Sequence, residues 1–494
     1  MSAPRSTPWP LVALFTAGYL ASYLLPTTVG RLDSALPLSA TQAGAIGSAL
    51  LLSSASAGFT LAGRVDRFGA RAVARLGLTL AVLGYGCAAL TDSVPAVVLG
   101  AVVGGLGSGT MTAVAASGIA AGRDPHRATT SGLLMVSALA GALYLTIPRL
   151  GPGHGLPLGA IALTALAIWP FTGRLPARTA PAAGPAAVRR PLPHRRAGLL
   201  LAATMPCWSL AQNALWGVSG RIGLGQAHLT EITVGAVFAV ALGAGLLGVV
   251  GASALGPRLG RALPIGLGTA LIAACIALSA SATDLPSFAL GEIAWNLCYP
   301  VVLSYVISLA AALDTRGRWA VLVGSAASLG TAAGPLTGSL LSDRAGFPAM
   351  GGILAAALLL AAVPMTAVAL RTAPRRLRIV EIPIAAGPLA EAPLAEPVSG
   401  VEVAAVQFKD LPVVEISLRE APVTDPAAGD TRTGEILAGE ILAGEILVGG
   451  ATVLDLPAKG IPVVQIPLTD LSVGELRAMG TSHAGKTPGA TIPA

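Results

Sequence analysis

No lysine precedes Lys409, and charged residues of either sign make up only 11% of the chain. With 54% hydrophobic residues and a mean hydropathy of +0.74, this scarcity excludes a water-soluble globular domain, which keeps about a quarter of its residues charged. Aromatic residues are only 4% of the chain, so any place where they gather is informative. The four cysteines, Cys87, Cys207, Cys275 and Cys298, fall inside apolar runs without pairing or metal-ligand spacing, and read as small core residues. The five histidines, His126, His154, His194, His228 and His483, lie in loops or the tail and form no ligand set. No metal or cofactor is expected. A Gly-Lys-Ser/Thr phosphate loop is absent, which argues against energy from ATP, and no catalytic constellation marks an enzyme.

What is present is apolar length. Segments centred on 9–29, 41–62, 76–92, 95–120, 130–148, 156–173, 197–217, 230–254, 263–282, 286–312, 319–341 and 348–370 are each near the roughly 20 residues that cross a bilayer as a helix. The first could be mistaken for a secretory signal, but it has span length and no small-residue cleavage site, so it reads as a retained helix. These runs predict an all-α membrane protein of twelve transmembrane helices. Arginine placement gives an independent check, because basic residues collect in short cytoplasmic loops. With the amino terminus inside, only Arg31, Arg149, Arg221 and Arg344 fall outside, and both ends of the membrane part lie in the cytoplasm. A Pro/Ala-rich basic linker, 174–196, divides the helices into bundles of six over 1–173 and 197–378. The abundance of Ala, Gly and Arg with few lysines suggests a GC-rich bacterial genome and therefore an inner, plasma membrane.

The turn after the second segment, Ala62-Gly63-Arg64-Val65-Asp66-Arg67-Phe68-Gly69-Ala70-Arg71, resembles the loop between helices 2 and 3 of the major facilitator superfamily. Asp66, Arg67, Gly69 and Arg71 fit the pattern, and Ala62 stands where that family has glycine. Pro257-Arg258-Leu259-Gly260-Arg261 repeats the turn at the matching place in the second half. Such duplication marks a transporter built from related bundles, with its site between them near the midplane. The resemblance implies that Asp66, Arg67, Gly69 and Arg71 latch the cytoplasmic side of the closed bundle. Gly100, Gly104, Gly105, Gly107 and Gly109 permit close packing of the fourth helix. Ala101 occupies a position where many proton-coupled members of the family carry arginine. Gly330, Gly334, Pro335 and Gly338 resemble an antiporter motif that the family places in helix 5 rather than helix 11.

Beyond Arg378 the material changes. Residues 1–378 carry a balance of +16 and residues 379–494 a balance of −9. From Val401 to Ala478 apolar residues recur every five positions, with acids such as Asp410, Glu415, Glu435, Glu440 and Glu445 on the same beat. A period of five fits neither a helix nor a half-buried strand, and suits a stacked solenoid. It resembles the pentapeptide-repeat family, which implies a right-handed β-helix-like solenoid over 379–480, followed by a loose end at 481–494. A low-complexity tail produced by repeat expansion is the competing reading.

Candidate site residues concentrate on three segments. Glu292 is the one acid well inside a predicted span, where an ionisable group is costly and normally faces a cavity or partner and handles ions or substrate. Trp295, Asn296 and Tyr299 share its helix face. Trp208, Gln212 and Trp216 lie on one stripe of the seventh segment, with Asn213 beside it, and Tyr19 and Tyr23 repeat at helical spacing on the first. Trp216 and Tyr23 also suit an interfacial aromatic belt. The family resemblance implies that these three helices line the central cavity.

The expected function is a secondary transporter that moves a small, partly apolar molecule by alternating access, with proton-coupled export favoured. Glu292 would be the proton or cation site, and Tyr19, Tyr23, Trp208, Gln212, Asn213, Trp295, Asn296 and Tyr299 would bind substrate. The partners expected are the bilayer, the substrate, a proton or other cation, and a cytoplasmic protein for the tail; nucleic acid is not expected. The alternative is a membrane-anchored interaction protein whose acidic solenoid binds that cytoplasmic partner.

Overall fold

A computed structural model describes residues 9–62, 64–122, 124–175, 192–314, 317–372, 414–416 and 464–466. The chain divides into two compact units, Met1–Ile379 and Val380–Ala494.

The first unit is helical. Its opening segment is broken into α1 (Trp9–Tyr23) and α2 (Leu25–Ala35), bent by 45° at Leu24. Pro26 explains the bend: it carries no N–H, so the carbonyl of Ser22 one turn earlier loses its helical partner, and its ring crowds that carbonyl. There follow α3 (Ala40–Ala62), the single turn α4 (Val65–Phe68), α5 (Ala70–Leu90), α6 (Val94–Ala120), α7 (Pro125–Leu150) and α8 (Gly155–Ile168). After 169–175, which continues α8 as a 3₁₀ turn over Trp169–Arg174, come α9 (Arg195–Arg221), α10 (Glu231–Leu255), α11 (Ala262–Ala280), α12 (Leu285–Leu313) and α13 (Arg318–Arg371). A π-helical turn, Ile222–Gln226, prolongs α9. The 54-residue α13 is interrupted at Gly346, whose φ of +78° a side chain would resist, and Pro348 follows.

Nine of the described helices are long and apolar enough to cross a membrane, and α1 with α2 makes a tenth if the bent pair is one span. The helix α9 is absent from that set: Pro206, Gln212 and Asn213 dilute its hydropathy while its core face stays buried. Exposed leucines such as Leu83, Leu163, Leu247, Leu267 and Leu360 give the unit a surface that only lipid would cover. This is a multi-pass membrane protein.

Within the unit, α1, α3, α5, α6, α7 and α8 pack among themselves, and so do α9 to α13. The two sets meet where α2 touches α9, α3 touches α13 and α7 touches α10. Glycines set the close approaches. A Cβ at Gly109 would stand 1.8 Å from the carbonyl of Ser54, and one at Gly105 2.3 Å from that of Leu50, so α6 lies against α3 backbone to backbone. Gly330 and Gly338 do the same for α13 against Pro206 and Ala214 of α9. The glycines of the apparent antiporter motif therefore join two helices of the second set.

In the second unit, two strands, β1 (Val414–Ile416) and β2 (Val464–Ile466), pair antiparallel, with Val414 opposite Ile466 and Glu415 opposite Gln465. Both occupy the same phase of the five-residue beat. The rest of the expected solenoid and the expected loose end lie outside the described residues.

Candidate functional site

Along the second half of α9 and the first half of α12, large polar and aromatic side chains form a ladder. At one rung Glu292 is wholly buried, and its Oε1 accepts from Ser219 Oγ at 2.7 Å and from Ser279 Oγ of α11 at 2.6 Å. Its Oε2 has no hydrogen-bond partner, and no ion pair reaches the carboxyl among the described residues. The next rung is Trp216 against Trp295, with ring centroids 5.6 Å apart. Trp295 Nε1 then donates to Gln212 Oε1 at 3.2 Å, and Trp208 stacks on Tyr299 at 5.5 Å.

The protons at the first rung can be counted. Ser219 Oγ stands 3.0 Å from the Leu215 carbonyl as well as 2.7 Å from Glu292. A hydroxyl has one proton, so it can donate to only one of these oxygens. A proton on Oε1 of Glu292, donated to Ser219 Oγ, lets the serine donate to Leu215; without it, the serine turns to the carboxylate. Ser279, which has no other described acceptor, supports the ionised form. Two serines thus serve Oε1 of the same buried group in either protonation state and leave Oε2 without a partner, where an unassisted buried carboxylate would be costlier still.

Helix α1 reaches this ladder at its break. The Ser22 carbonyl freed by Pro26 accepts from Trp216 Nε1 at 3.1 Å, across the two helix sets. The neighbouring Tyr23 carbonyl accepts from Tyr144 Oη of α7 at 2.5 Å. Tyr144 faces Trp216 edge-on at 6.5 Å and Phe238 of α10 at 5.1 Å. The hydroxyls of Tyr19 and Tyr23 lie close enough to Tyr299 to interact with it electrostatically. Trp216 is only 7% exposed, so it is a cross-set contact rather than part of an interfacial belt.

The other sequence candidates are distributed as follows. Tyr19 is 37% exposed and packs on Phe15. Trp208 and Gln212 are enclosed, with Trp208 Nε1 on Thr269 at 3.4 Å and Gln212 Nε2 on the Trp208 carbonyl at 3.1 Å. Asn213 turns away to Ser209 and Thr331, and Asn296 bonds the carbonyl of Glu292 rather than its side chain. At the turn after α3, Gly69 holds φ +87°, which explains glycine there. Arg71 donates to the carbonyls of Gly173 and Leu175, inside the first set of helices, and Arg67 lies over Phe68. The Asp66 side chain lies outside the described residues.

Sequence reasoning missed the partners. Ser219 lies one turn beyond Trp216 on the same stripe and could have been read from it. Ser279, Tyr144 and the charged pairs at the end of the molecule had no such signal. There Arg31, buried, pairs with Glu231 at 2.7 Å and donates to the carbonyls of Gly153 and Ile147. Arg221 meets Asp33 at 3.9 Å and donates to Ser339 at 2.9 Å, while Thr41 bonds Asp343 at 3.2 Å. Ser48 Oγ accepts from the backbone of Leu336 at 2.9 Å. The hydrogen bonds and ion pairs named between the two sets lie between the Arg31 end and the depth of Trp216.

No family model matches the chain, and no curated protein matches it in sequence. Solved structures match in fold. The human organic anion transporter MFSD10 (TETRAN) superposes with a TM-score of 0.55 at 18% identity, over 74% of this chain and 100% of that one. The POT family transporter PepTSo gives 0.58 at 14% identity, over 75% and 99%. A POT family transporter in complex with a thioalcohol-conjugated peptide gives 0.60 at 12%, over 74% and 96%. The membrane unit therefore has the major facilitator-like fold that its sequence resembles.

Proposed function

We propose that the chain is a secondary transporter that moves a small, partly apolar molecule by alternating access, coupled to a proton at Glu292. The observation that carries this is the buried Glu292 with two serine donors on one oxygen and none on the other. A membrane anchor has no need of a carboxyl that two helices serve in either protonation state. The named solved structures include an organic anion transporter and a POT family transporter in complex with a thioalcohol-conjugated peptide, which supports a small organic substrate.

In this reading the two sets of helices are six-helix bundles, with α13 supplying two spans across Gly346, α9 supplying another, and 174–196 serving as linker. That gives twelve spans with both termini cytoplasmic, in an inner membrane. The substrate binds between Tyr19 and Tyr23 on one side and the α9 and α12 ladder on the other. The contacts from Arg31 to Trp216 close one end, and the Arg71 end is the open, cytoplasmic one. The direction is export, and the tail is accessory.

The test is uptake of labelled amphipathic compounds into proteoliposomes under an imposed pH gradient, comparing wild type, Glu292→Gln and a chain ending at Arg378. Gradient-driven flux should fall at least about tenfold in Glu292→Gln, the change that a loss of 1.4 kcal/mol of coupling would give, and persist in the truncated chain. Equal flux in wild type and Glu292→Gln would remove Glu292 from coupling. Loss of flux on truncation would make the tail part of the transport machinery.

A further inference from the structure

The ladder has a sign. Helix α1, the stretch Ala197–Gly220 of α9, all of α12 and the stretch Trp319–Asp343 of α13 contain no lysine, arginine or histidine. The basic residues that follow Tyr23 and Ser219 in sequence, Arg31 and Arg221, pair with Glu231 and with Asp33 and Ser339, and Arg221 Nε is left without a partner. Electron-rich groups are collected instead: the stacked faces of Trp208 and Tyr299, the Trp216 and Trp295 pair, and the half-buried Tyr23. The Ser22 carbonyl that Pro26 releases is held by nothing stronger than the Trp216 indole at 3.1 Å. One helical turn from the Trp216 and Trp295 pair lies Glu292, with Oε2 unpartnered.

We propose that the substrate is an organic cation, an apolar body bearing one positive nitrogen, held over the half-buried rings of Tyr23 and Tyr299 at the edge of this ladder and attracted by the Glu292 carboxylate; this rests on the transporter reading above. Ring faces attract cations through their quadrupole, and a carboxylate one turn away acts through a low-dielectric interior that screens it little. An anion would meet no base at this depth. The groups that face Glu292 are Ser219 of α9, Ser279 and Cys275 of α11 and Tyr144 of α7, none of them a cation. Glu292 carries at most one negative charge, so a proton and the substrate compete for it through space. One positive charge enters the site as the other leaves, which makes the exchange an antiport.

The experiment is calorimetric titration of the purified full-length protein with three probes of one shape: an N-ethylquinolinium salt, 2-ethylnaphthalene, which is neutral at every pH, and 2-naphthoate. The quinolinium should bind about tenfold tighter than the neutral probe, with naphthoate weakest. Acidification should weaken quinolinium binding and leave the neutral probe unchanged. Glu292→Gln, checked for monodisperse elution, should reduce the preference to below about threefold. Neutral or anionic probe binding as tightly as the cation, a preference unmoved by both pH and Glu292→Gln, or no saturable binding of any probe would each overturn the proposal. Flux of the same probes into proteoliposomes separates the two readings. A cation bound through Glu292 but never moved sinks transport and keeps the site, whereas flux of a neutral or anionic probe with no cation preference does the reverse.

Discussion

At the scale of single residues, Ser279 is the most informative test of the proton site. Its only described partner is Glu292, whereas Ser219 also has the Leu215 carbonyl. Hydrogen bonds to a charged group are worth about 1.5–3 kcal/mol, so Ser279→Ala should cut gradient-driven flux by about tenfold while substrate exchange without a gradient survives. Ser219→Ala should do less, and the double variant should match Glu292→Gln. Fluxes of all three variants equal to wild type would mean that the serines merely pack. Glu292 itself was legible because a lone acid in an apolar span stands out against its surroundings. Ser279 was not, because a serine in a transmembrane helix bonds its own helix as readily as a distant carboxyl.

At the scale of elements, the break between α1 and α2 is a local consequence of Pro26, yet its meaning lies in what fills the freed carbonyl. Trp216→Phe keeps a ring packed against Trp295 but removes the donor to Ser22. That loss should cost about 1–3 kcal/mol of the closed arrangement, seen as faster labelling of a cysteine placed at the Arg31 end. Unchanged labelling would leave the bond without a role in closure. A second element test concerns the start of α12. Asp284, exposed, accepts from Ser287 Oγ and from its N–H at 2.9 Å, and these bonds hold its carboxyl below the ordinary carboxylate range. A lowered folded-state value stabilises above the unfolded pKa, near 3.9, and the contribution disappears as pH falls through the folded one. Asp284→Ala should therefore speed amide exchange at Ser287 at neutral pH, with the difference from wild type closing only in strong acid. The bend partner was not readable in the sequence, since nothing local joins Ser22 to Trp216.

At the scale of the whole membrane unit, the two helix sets are joined by Arg31 with Glu231 and by Arg221 with Asp33 at the same end. Removing one partner of a buried pair leaves an uncompensated charge and costs about 3–5 kcal/mol. Arg31→Glu and Glu231→Arg should each block closure of that end and slow transport, and the double exchange should restore a substantial part of it. If the double variant were as impaired as the single ones, the carbonyls of Gly153 and Ile147, which only Arg31 can serve, would be the dominant partners. The chain's other large-scale feature, the change from a +16 membrane part to a −9 repeat, was plain from composition and coincides with the boundary of the two compact units.

The sequence by itself determined that this is a multi-pass helical membrane protein, because apolar runs of bilayer length have no other stable arrangement once their backbone bonds must close internally. It also located most of the apolar spans, the glycines that let them touch, and Glu292 as exceptional, since each of these is a property of one helix and its solvent. Tertiary structure alone decided which residues meet. It set Ser219 and Ser279 on one carboxyl oxygen, turned Asn213 and Asn296 away from it, gave the Ser22 carbonyl to Trp216 and paired Arg31 with Glu231. Helical periodicity fixes the face on which a side chain stands but not the helix that face will find, because in lipid that choice is made by close packing and polar satisfaction between segments far apart in the chain.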